Sequence, residues 1–168
     1  MSFARVLATW FYCGYAPRAP GTAGSLAALA IAWLLHEYAG VPPLGFAILA
    51  LALLGPAIWA ADVTARQTGL KDPQIVVVDE VVGQWIAIAG ASFGKAGLDW
   101  HAGIDWHAGI NWKAWCAAFV LFRTFDIWKP PPVRQLEQIR GGAGIVLDDV
   151  MAGIYAALVL AAAGWFNR

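Results

Sequence analysis

The segment Pro43–Ala61 runs for nineteen residues without a charged side chain. A helix needs about 20 apolar residues to cross the hydrocarbon core of a bilayer. Hydrophobic residues make up 60% of the chain and charged residues 13%, against roughly 45–50% and about 25% in soluble domains. A soluble globule of 168 residues could not bury that much apolar surface. We therefore predict a single integral membrane domain, residues 1–168.

Four further apolar stretches accompany this one, and together they predict an all-α fold. These stretches are Ala23–Leu35, Ile75–Phe93, Ala114–Phe122 and Val150–Phe166. The first and third are too short for a full span, so short or half-membrane helices are expected there. The predicted architecture is a polytopic membrane helical bundle with about four to five membrane-embedded helices.

Basic residues divide unevenly between the two sides of this bundle. Threading the chain with the turn before the first apolar stretch on the inner side places eight basic residues on that side. They are Arg5, Arg18, Arg66, Lys71, Arg123, Lys129, Arg134 and Arg140. Lys95, Lys113 and Arg168 lie on the outer side. An excess of Lys and Arg marks the cytoplasmic side, so the inner side is predicted to be cytoplasmic.

Acidic residues gather at the same cytoplasmic helix ends. They are Asp62, Asp79, Glu80, Asp126, Asp148 and Asp149. A charged residue deep in a bilayer costs roughly 2.5–3.5 kcal/mol, so such a group must be neutralised or lie at the interface. Hard oxygen ligands suit Mg²⁺, and all six except Asp62 are predicted metal ligands. The alternative is a set of solvated helix ends paired with Arg and Lys.

Cations share this face of the bundle. Arg123, Asp126 and Lys129 are spaced three residues apart, which places them on one side of a helix that Pro130 ends. Arg134 follows closely. Cations beside a magnesium cluster suggest a phosphate ligand, and internal salt bridging is the alternative. The equal number of acidic and basic residues, eleven of each, removes the basic excess expected of a nucleic-acid-binding protein.

Two glycine-containing segments flank these charges. In Pro20–Ser25, Thr22 is a candidate N-cap, and free backbone N–H groups at a helix N-terminus can bind a phosphate together with Thr22 and Ser25. A simple helix cap is the alternative. Glycines in Gly141–Ile145 permit a close backbone approach that would let the Asp148–Asp149 pair pack against the other acids, and a flexible loop is the alternative.

A near-exact repeat, Asp99–Ile104 followed by Asp105–Ile110, lies in the predicted outer loop. Its tryptophans favour the membrane–water interface, so a short interfacial hairpin or coil is expected. Metal binding by His101 and His107 is the alternative, but their spacing of six residues matches no common zinc pattern.

Four motifs in this order resemble the phosphatidylglycerophosphatase A family. They are Pro20–Ser25, Asp79–Gly83, Arg123 with Asp126–Pro130, and Gly141–Ile145 with Asp148–Asp149. Pro131, in place of an aromatic residue, and the Trp-His repeat depart from the family pattern. The resemblance implies a helical, Mg²⁺-dependent, multi-pass phosphatase of the bacterial inner membrane with its active site facing the cytoplasm. It implies hydrolysis of phosphatidylglycerophosphate to phosphatidylglycerol and inorganic phosphate.

The residue pattern and the resemblance together assign roles to the site residues. The predicted catalytic residues are Asp79, Glu80, Asp126, Lys129 and Asp149. The predicted phosphate ligands are Thr22, Ser25, Arg123, Lys129 and Arg134, and the predicted metal ligands are Asp79, Glu80, Asp126, Asp148 and Asp149. The pattern leaves open whether water or an aspartate attacks phosphorus, and it specifies no oligomeric state. A small ion-coupled transporter that uses the intramembrane carboxylates is the alternative function.

Overall fold

The computed structural model describes residues 2–93, 98–99, 103–104 and 112–166, and almost all of them are helical. The α-helices are α1 (Phe3–Ala8), α2 (Pro20–Ala39), α3 (Pro43–Thr68), α4 (Val78–Ala89), α5 (Trp112–Trp128), α6 (Val133–Leu136) and α7 (Gly142–Phe166). Two 3₁₀ turns, Cys13–Tyr15 and Gly90–Phe93, complete the helical elements of these residues. The predicted all-α fold is confirmed.

Each of the five predicted apolar stretches lies mainly in a helix, but several boundaries differ. α3 continues past Pro56 and the end of the predicted stretch to Thr68. α4 begins at Val78 rather than Ile75, because the N–H of Val77 donates to the carbonyl of Ala8 at 2.8 Å. Helix α7 starts at Gly142, eight residues before the predicted stretch.

Two helices of the described residues are long and apolar enough to cross a bilayer. They are Pro43–Thr68 and Gly142–Gly164. This judgement rests on length and composition alone, so the number of four to five membrane-embedded helices stays a prediction.

The short helix α4 forms the centre of the bundle. Eleven of its twelve residues are buried, and it packs against α2, α3, α5 and α7. The indole N–H of Trp85 donates to the carbonyl of Ala28 at 3.1 Å, which links α4 to α2. Because α4 begins with Asp79 and Glu80, its central position places two carboxylates among the surrounding helices.

Glycines set the distance between α4 and α7. A Cβ atom on Gly83 would collide with the ring of Phe122 and the carbonyl oxygen of Asp149, and one on Gly153 would collide with the backbone of Gly83. Small residues that let helix backbones approach closely are typical of packed membrane helices. This crossing therefore fixes how far Glu80 on α4 lies from Asp149 on α7.

Part of the predicted outer loop forms a two-residue antiparallel pair. Leu98 lies opposite Ile104, and Asp99 lies opposite Gly103. This pairing agrees with the hairpin expected for the repeat. The rest of the repeat, including His101 and His107, lies outside the described residues.

The α4–α7 crossing predicts a specific sensitivity to added volume. We expect Gly153→Ala to lower the thermal midpoint, because overpacking a close contact costs roughly 1–3 kcal/mol. Gly55→Ala on α3 is the matched control, because nothing lies within 4 Å of a Cβ at that position and alanine favours a helix by about 1 kcal/mol over glycine. Equal midpoints for the two variants, measured by thermal unfolding in detergent, would contradict the proposed packing.

Candidate active site

A cavity of about 370 Å³ opens where the acidic helix ends meet. Six carboxylates line it, together with the guanidinium of Arg123 and the ammonium of Lys129. The carboxylates are Asp72, Asp79, Glu80, Asp126, Asp148 and Asp149. The remaining lining residues are Ala19, Pro20, Gly21, Gln74, Val76 and Ile145. Formal charges therefore leave this acidic cavity strongly negative.

Three helices bring five of the six acids to this cavity. Asp79 and Glu80 lie in the first turn of α4, where the helix dipole favours negative charge. Asp148 and Asp149 lie in the second turn of α7, and Asp126 lies in the last turn of α5. The four acids on α4 and α7 are each less than a tenth exposed. The five acids on these three helices, which the sequence predicts to converge, therefore do converge.

Three of the carboxylates lie closest to one another. One oxygen atom each from Glu80, Asp126 and Asp149 lies within 4.8 Å of the other two. The two remaining predicted metal ligands line the same cavity with other partners. Asp79 Oδ1 accepts the backbone N–H of Glu80 at 3.0 Å, and Asp148 Oδ2 accepts from Lys129 Nζ at 2.8 Å.

Arg123 contacts two members of this group. Its guanidinium donates to Glu80 Oε2 and forms an ion pair with Asp126 Oδ2 at 2.8 Å. One guanidinium balances one of the three negative charges. Arg123 Nε is buried without a hydrogen-bond partner among the described residues. The arginine therefore links α4 to α5, and its Nε–H donor is used by neither carboxylate.

The donor set fits a divalent cation. Clustered carboxylate oxygens are the ligands that Mg²⁺ and Ca²⁺ prefer, and the protein cations offset only part of their charge. Asp148 Oδ1 is also buried without a hydrogen-bond partner in the described part of the chain, and a buried acceptor of this kind is costly unless a ligand satisfies it. The acidic cavity could therefore bind a metal ion.

Lys129 follows α5 in a left-handed conformation, with φ of 48°. Its backbone N–H donates to the carbonyl of Phe125 at 2.8 Å, and Pro130 prevents the helix from continuing. Its ammonium pairs with Asp148 at 2.8 Å and Glu137 at 3.4 Å. Burial lowers the pKa of Lys129, but the hydrogen bond and charge of Asp148 outweigh this, so the pKa lies above its ordinary value. Lys129 therefore stays protonated at neutral pH.

The prediction that Thr22 is an N-cap is wrong. Helix α2 begins at Pro20 with Ala19 as its N-cap, because proline is well suited to the first helical position. Thr22 consequently lies third in the helix, outside the residues that line the acidic cavity.

Ser25 and Arg134, which the sequence predicts as phosphate ligands, lie outside the lining of the acidic cavity. Ser25 is fully buried. Its hydroxyl oxygen lies 3.0 Å from the carbonyl oxygen of Gly21 and 3.0 Å from Glu80 Oε2, and its one proton can be donated to either acceptor. Ser25 therefore contacts a site carboxylate rather than facing the cavity. Arg134 lines a neighbouring cavity of about 440 Å³, which shares Lys129 with the acidic one.

Gly21 has a structural role that sequence reasoning did not assign. A Cβ atom at this position would collide with Glu80 Oε1 and lie 3.3 Å from Arg123 Nη1. Glycine therefore lets the first turn of α2 approach the Glu80–Arg123 pair. In the sequence, this role is indicated by the position of Gly21 between Pro20 and Ser25 in a motif of small residues.

The Gly141–Ile145 segment forms close contacts, as predicted, but with a different helix. A Cβ on Gly142 would collide with the backbone of α3 at Ile58. The N–H of Gly142 donates to Asp62 Oδ1 at 3.2 Å, and Asp62 also pairs with Arg66 at 2.6 Å. Asp62 thus anchors the start of α7 and lies outside the acidic cavity.

Comparison with known proteins identifies relatives over nearly the whole chain. A family model described as phosphatidylglycerophosphatase A matches residues 6–164. A protein of Bacteroides thetaiotaomicron named "Putative phosphatidylinositol-3-phosphatase" is 40% identical over 162 residues, which cover 95% of this chain and 92% of that protein. No solved structure matches the chain.

Two further relatives carry the family name. Phosphatidylglycerophosphatase A of Escherichia coli strain K12 is 32% identical over 157 residues, covering 92% of this chain and 80% of the relative. Phosphatidylglycerophosphatase A of Haemophilus influenzae is 36% identical over 157 residues, which cover 92% of this chain and 85% of that relative. The matched region contains every residue of the acidic cavity. The chain is a phosphatase and belongs to the phosphatidylglycerophosphatase A family.

Proposed function

We propose that this phosphatase hydrolyses phosphatidylglycerophosphate to phosphatidylglycerol and inorganic phosphate, with Mg²⁺ bound in the acidic cavity. The observation that carries the proposal is the meeting of Glu80, Asp126 and Asp149 within 4.8 Å, beside two cations, in a chain of this family. The family does not favour the transporter alternative.

Glu80, Asp126 and Asp149 would bind the metal ion, with Asp79 and Asp148 beside them in the cavity wall. When bound, Mg²⁺ supplies Lewis-acid polarisation of phosphoryl oxygens. Arg123 keeps Glu80 and Asp126 in position through its two ion pairs. Ser25 helps to orient Glu80 by donating its hydroxyl to Oε2, the same oxygen that Arg123 contacts.

Lys129 and Arg123 would bind the phosphoryl oxygens and stabilise the charge that develops on them. In hydrolysis, the new bond forms between phosphorus and the attacking oxygen, and the bond from phosphorus to the glycerol oxygen breaks. Buried carboxylates beside the metal ligands can accept the proton of an attacking water and return it to the departing glycerol oxygen. Direct attack by an aspartate, followed by hydrolysis of the acyl phosphate, is the second route.

The bilayer location of the proposal is supported by apolar side chains on the outside of the bundle. On α3, Ile48 is 66% and Leu51 68% exposed, and on α7, Leu158 is 61% exposed. Such surfaces on long apolar helices are suited to lipid. Because the acids lie at the helix ends on the predicted cytoplasmic side, we place the site at the inner face of the bacterial inner membrane.

The substrate is tested by comparing two lipid phosphomonoesters. We expect the purified protein in mixed micelles to release phosphate faster from phosphatidylglycerophosphate than from phosphatidylinositol 3-phosphate, the lipid class in the name of the Bacteroides relative. The measurement is kcat/KM for each lipid with Mg²⁺ present, and Asp149→Asn is the inactive control. Faster release from the inositol lipid would reassign the substrate.

The metal-binding role of the acids predicts a loss of turnover when the metal or any one of its ligands is removed. Chelator should abolish turnover and added Mg²⁺ should restore it. Glu80→Gln, Asp126→Asn and Asp149→Asn should each lower kcat by about 10²–10³ or more, as expected when an electrostatic group of the transition state is lost. The asparagine and glutamine substitutions preserve side-chain shape and each removes one repelling charge, so the thermal midpoints should not fall.

Asp62→Asn is the matched control for these variants. Its amide oxygen can still accept the N–H of Gly142, and the residue lies outside the acidic cavity. We expect turnover within about threefold of the original. Near-original activity in all three cavity variants, or a loss in Asp62→Asn as large as theirs, would refute the proposed metal site.

A further inference from the structure

A second cavity lies on the same side of the bundle as the acidic one. It is an open groove of about 850 Å³ between the end of α3 and the loop that precedes α7. Arg66, Lys71 and Arg140 line it, and we call it the basic groove. It shares no lining residue with the acidic cavity. Its volume is within the range of small-molecule binding sites.

The charge of the basic groove is available to a ligand. Asp62, the one acid in its wall, already accepts from Arg66 at 2.6 Å and from the N–H of Gly142 at 3.2 Å. Among the residues that the structure describes, Lys71 and Arg140 form no ion pair. The Arg66 side chain is 79% exposed. The groove therefore offers three cations with one neutralising acid.

The position of the groove along α3 indicates what faces it. The uncharged run Pro43–Ala61 is about 28 Å long as a helix, close to the roughly 30 Å thickness of the hydrocarbon core. α3 then continues from Asp62 to Thr68. In the membrane orientation of the proposed function, this last part of α3 lies at the level of the cytoplasmic headgroups.

The groove also lies beside the proposed active site. A small cavity between the two is lined by Lys71 of the basic groove, by Asp72 and Asp148 of the acidic cavity, and by Glu137. Basic pockets at the cytoplasmic ends of membrane helices attract anionic lipid headgroups. A lipid bound in the groove would therefore lie next to the lipid being hydrolysed.

We propose that the basic groove binds the phosphodiester headgroup of an anionic phospholipid of the cytoplasmic leaflet. This inference rests on the proposed membrane location of the protein. Lys71 and Arg140 supply the charge that selects an anionic headgroup, and Arg66, which Asp62 positions, lines the same groove. The interaction is electrostatic, so higher salt weakens it.

The test measures lipid affinity in single-charge variants. Short-chain phosphatidylglycerol is titrated into the purified full chain in detergent, with short-chain phosphatidylcholine and inorganic phosphate as separate probes. The background for these variants is the unsubstituted chain, because phosphatidylglycerol, the proposed product, carries no phosphomonoester to hydrolyse. Lys71→Gln and Arg140→Gln should each raise the Kd for phosphatidylglycerol about fivefold, because each surface cation contributes about 1 kcal/mol of attraction to anionic lipid.

Lys113→Gln is the matched control, because Lys113 is exposed at the start of α5, outside the lining of the groove. Its Kd should equal that of the background. Phosphatidylcholine should bind more weakly than phosphatidylglycerol, with no dependence on Lys71 or Arg140. Equal affinities in all variants would refute the inference. If inorganic phosphate binds with the same dependence on Lys71 and Arg140, the ligand of the groove is a free anion rather than a lipid.

Failure of this inference is distinguishable from failure of the proposed function. The binding titration uses no hydrolysis, so it gives a Kd even if phosphatidylglycerophosphate proves not to be the substrate. Conversely, phosphate release from that lipid with unchanged affinities in Lys71→Gln and Arg140→Gln would refute the groove alone.

Discussion

Repulsion among carboxylates at the acidic cavity is the constraint on which the rest of the structure depends. Oxygen atoms of Glu80, Asp126 and Asp149 lie within 4.8 Å of one another. Two like charges at that distance repel by roughly 3–4 kcal/mol at an effective dielectric constant of about 20. Three such pairs approach the whole stability of a domain, about 5–15 kcal/mol. Arg123 offsets part of this repulsion, and a bound divalent cation would offset the rest.

Close helix packing is what brings these charges together. The Gly83–Gly153 crossing sets the separation of α4 from α7, and Gly21 lets α2 approach Glu80. At each of these contacts a glycine without a side chain lets two helices approach closely, so the acids have little freedom to move apart. The packing therefore determines the geometry of the site, because glycines that carry no functional group set the distances between the charged groups.

Much of this organisation could be predicted from the sequence, because it follows from local patterns. Apolar stretches predicted the helices, and tracing their alternating direction placed six acids at one end of the bundle. The partners of individual side chains could not be predicted, since they depend on contacts between distant segments. Ser25 contacts Glu80, 55 residues away, and Lys129 pairs with Asp148 rather than with Asp126, which is three residues earlier in the chain. Thr22 was misplaced because Pro20 starts α2 two residues earlier.

A structure of the full chain with Mg²⁺ and a phosphate mimic tests the central claim most directly. The account predicts a cation coordinated by oxygens of Glu80, Asp126 and Asp149, with the mimic bound between that cation and the side chains of Arg123 and Lys129. It also predicts that Glu80→Gln removes the cation without moving α4. A mimic bound elsewhere, with the three carboxylates still paired only to protein cations at saturating Mg²⁺, would contradict it.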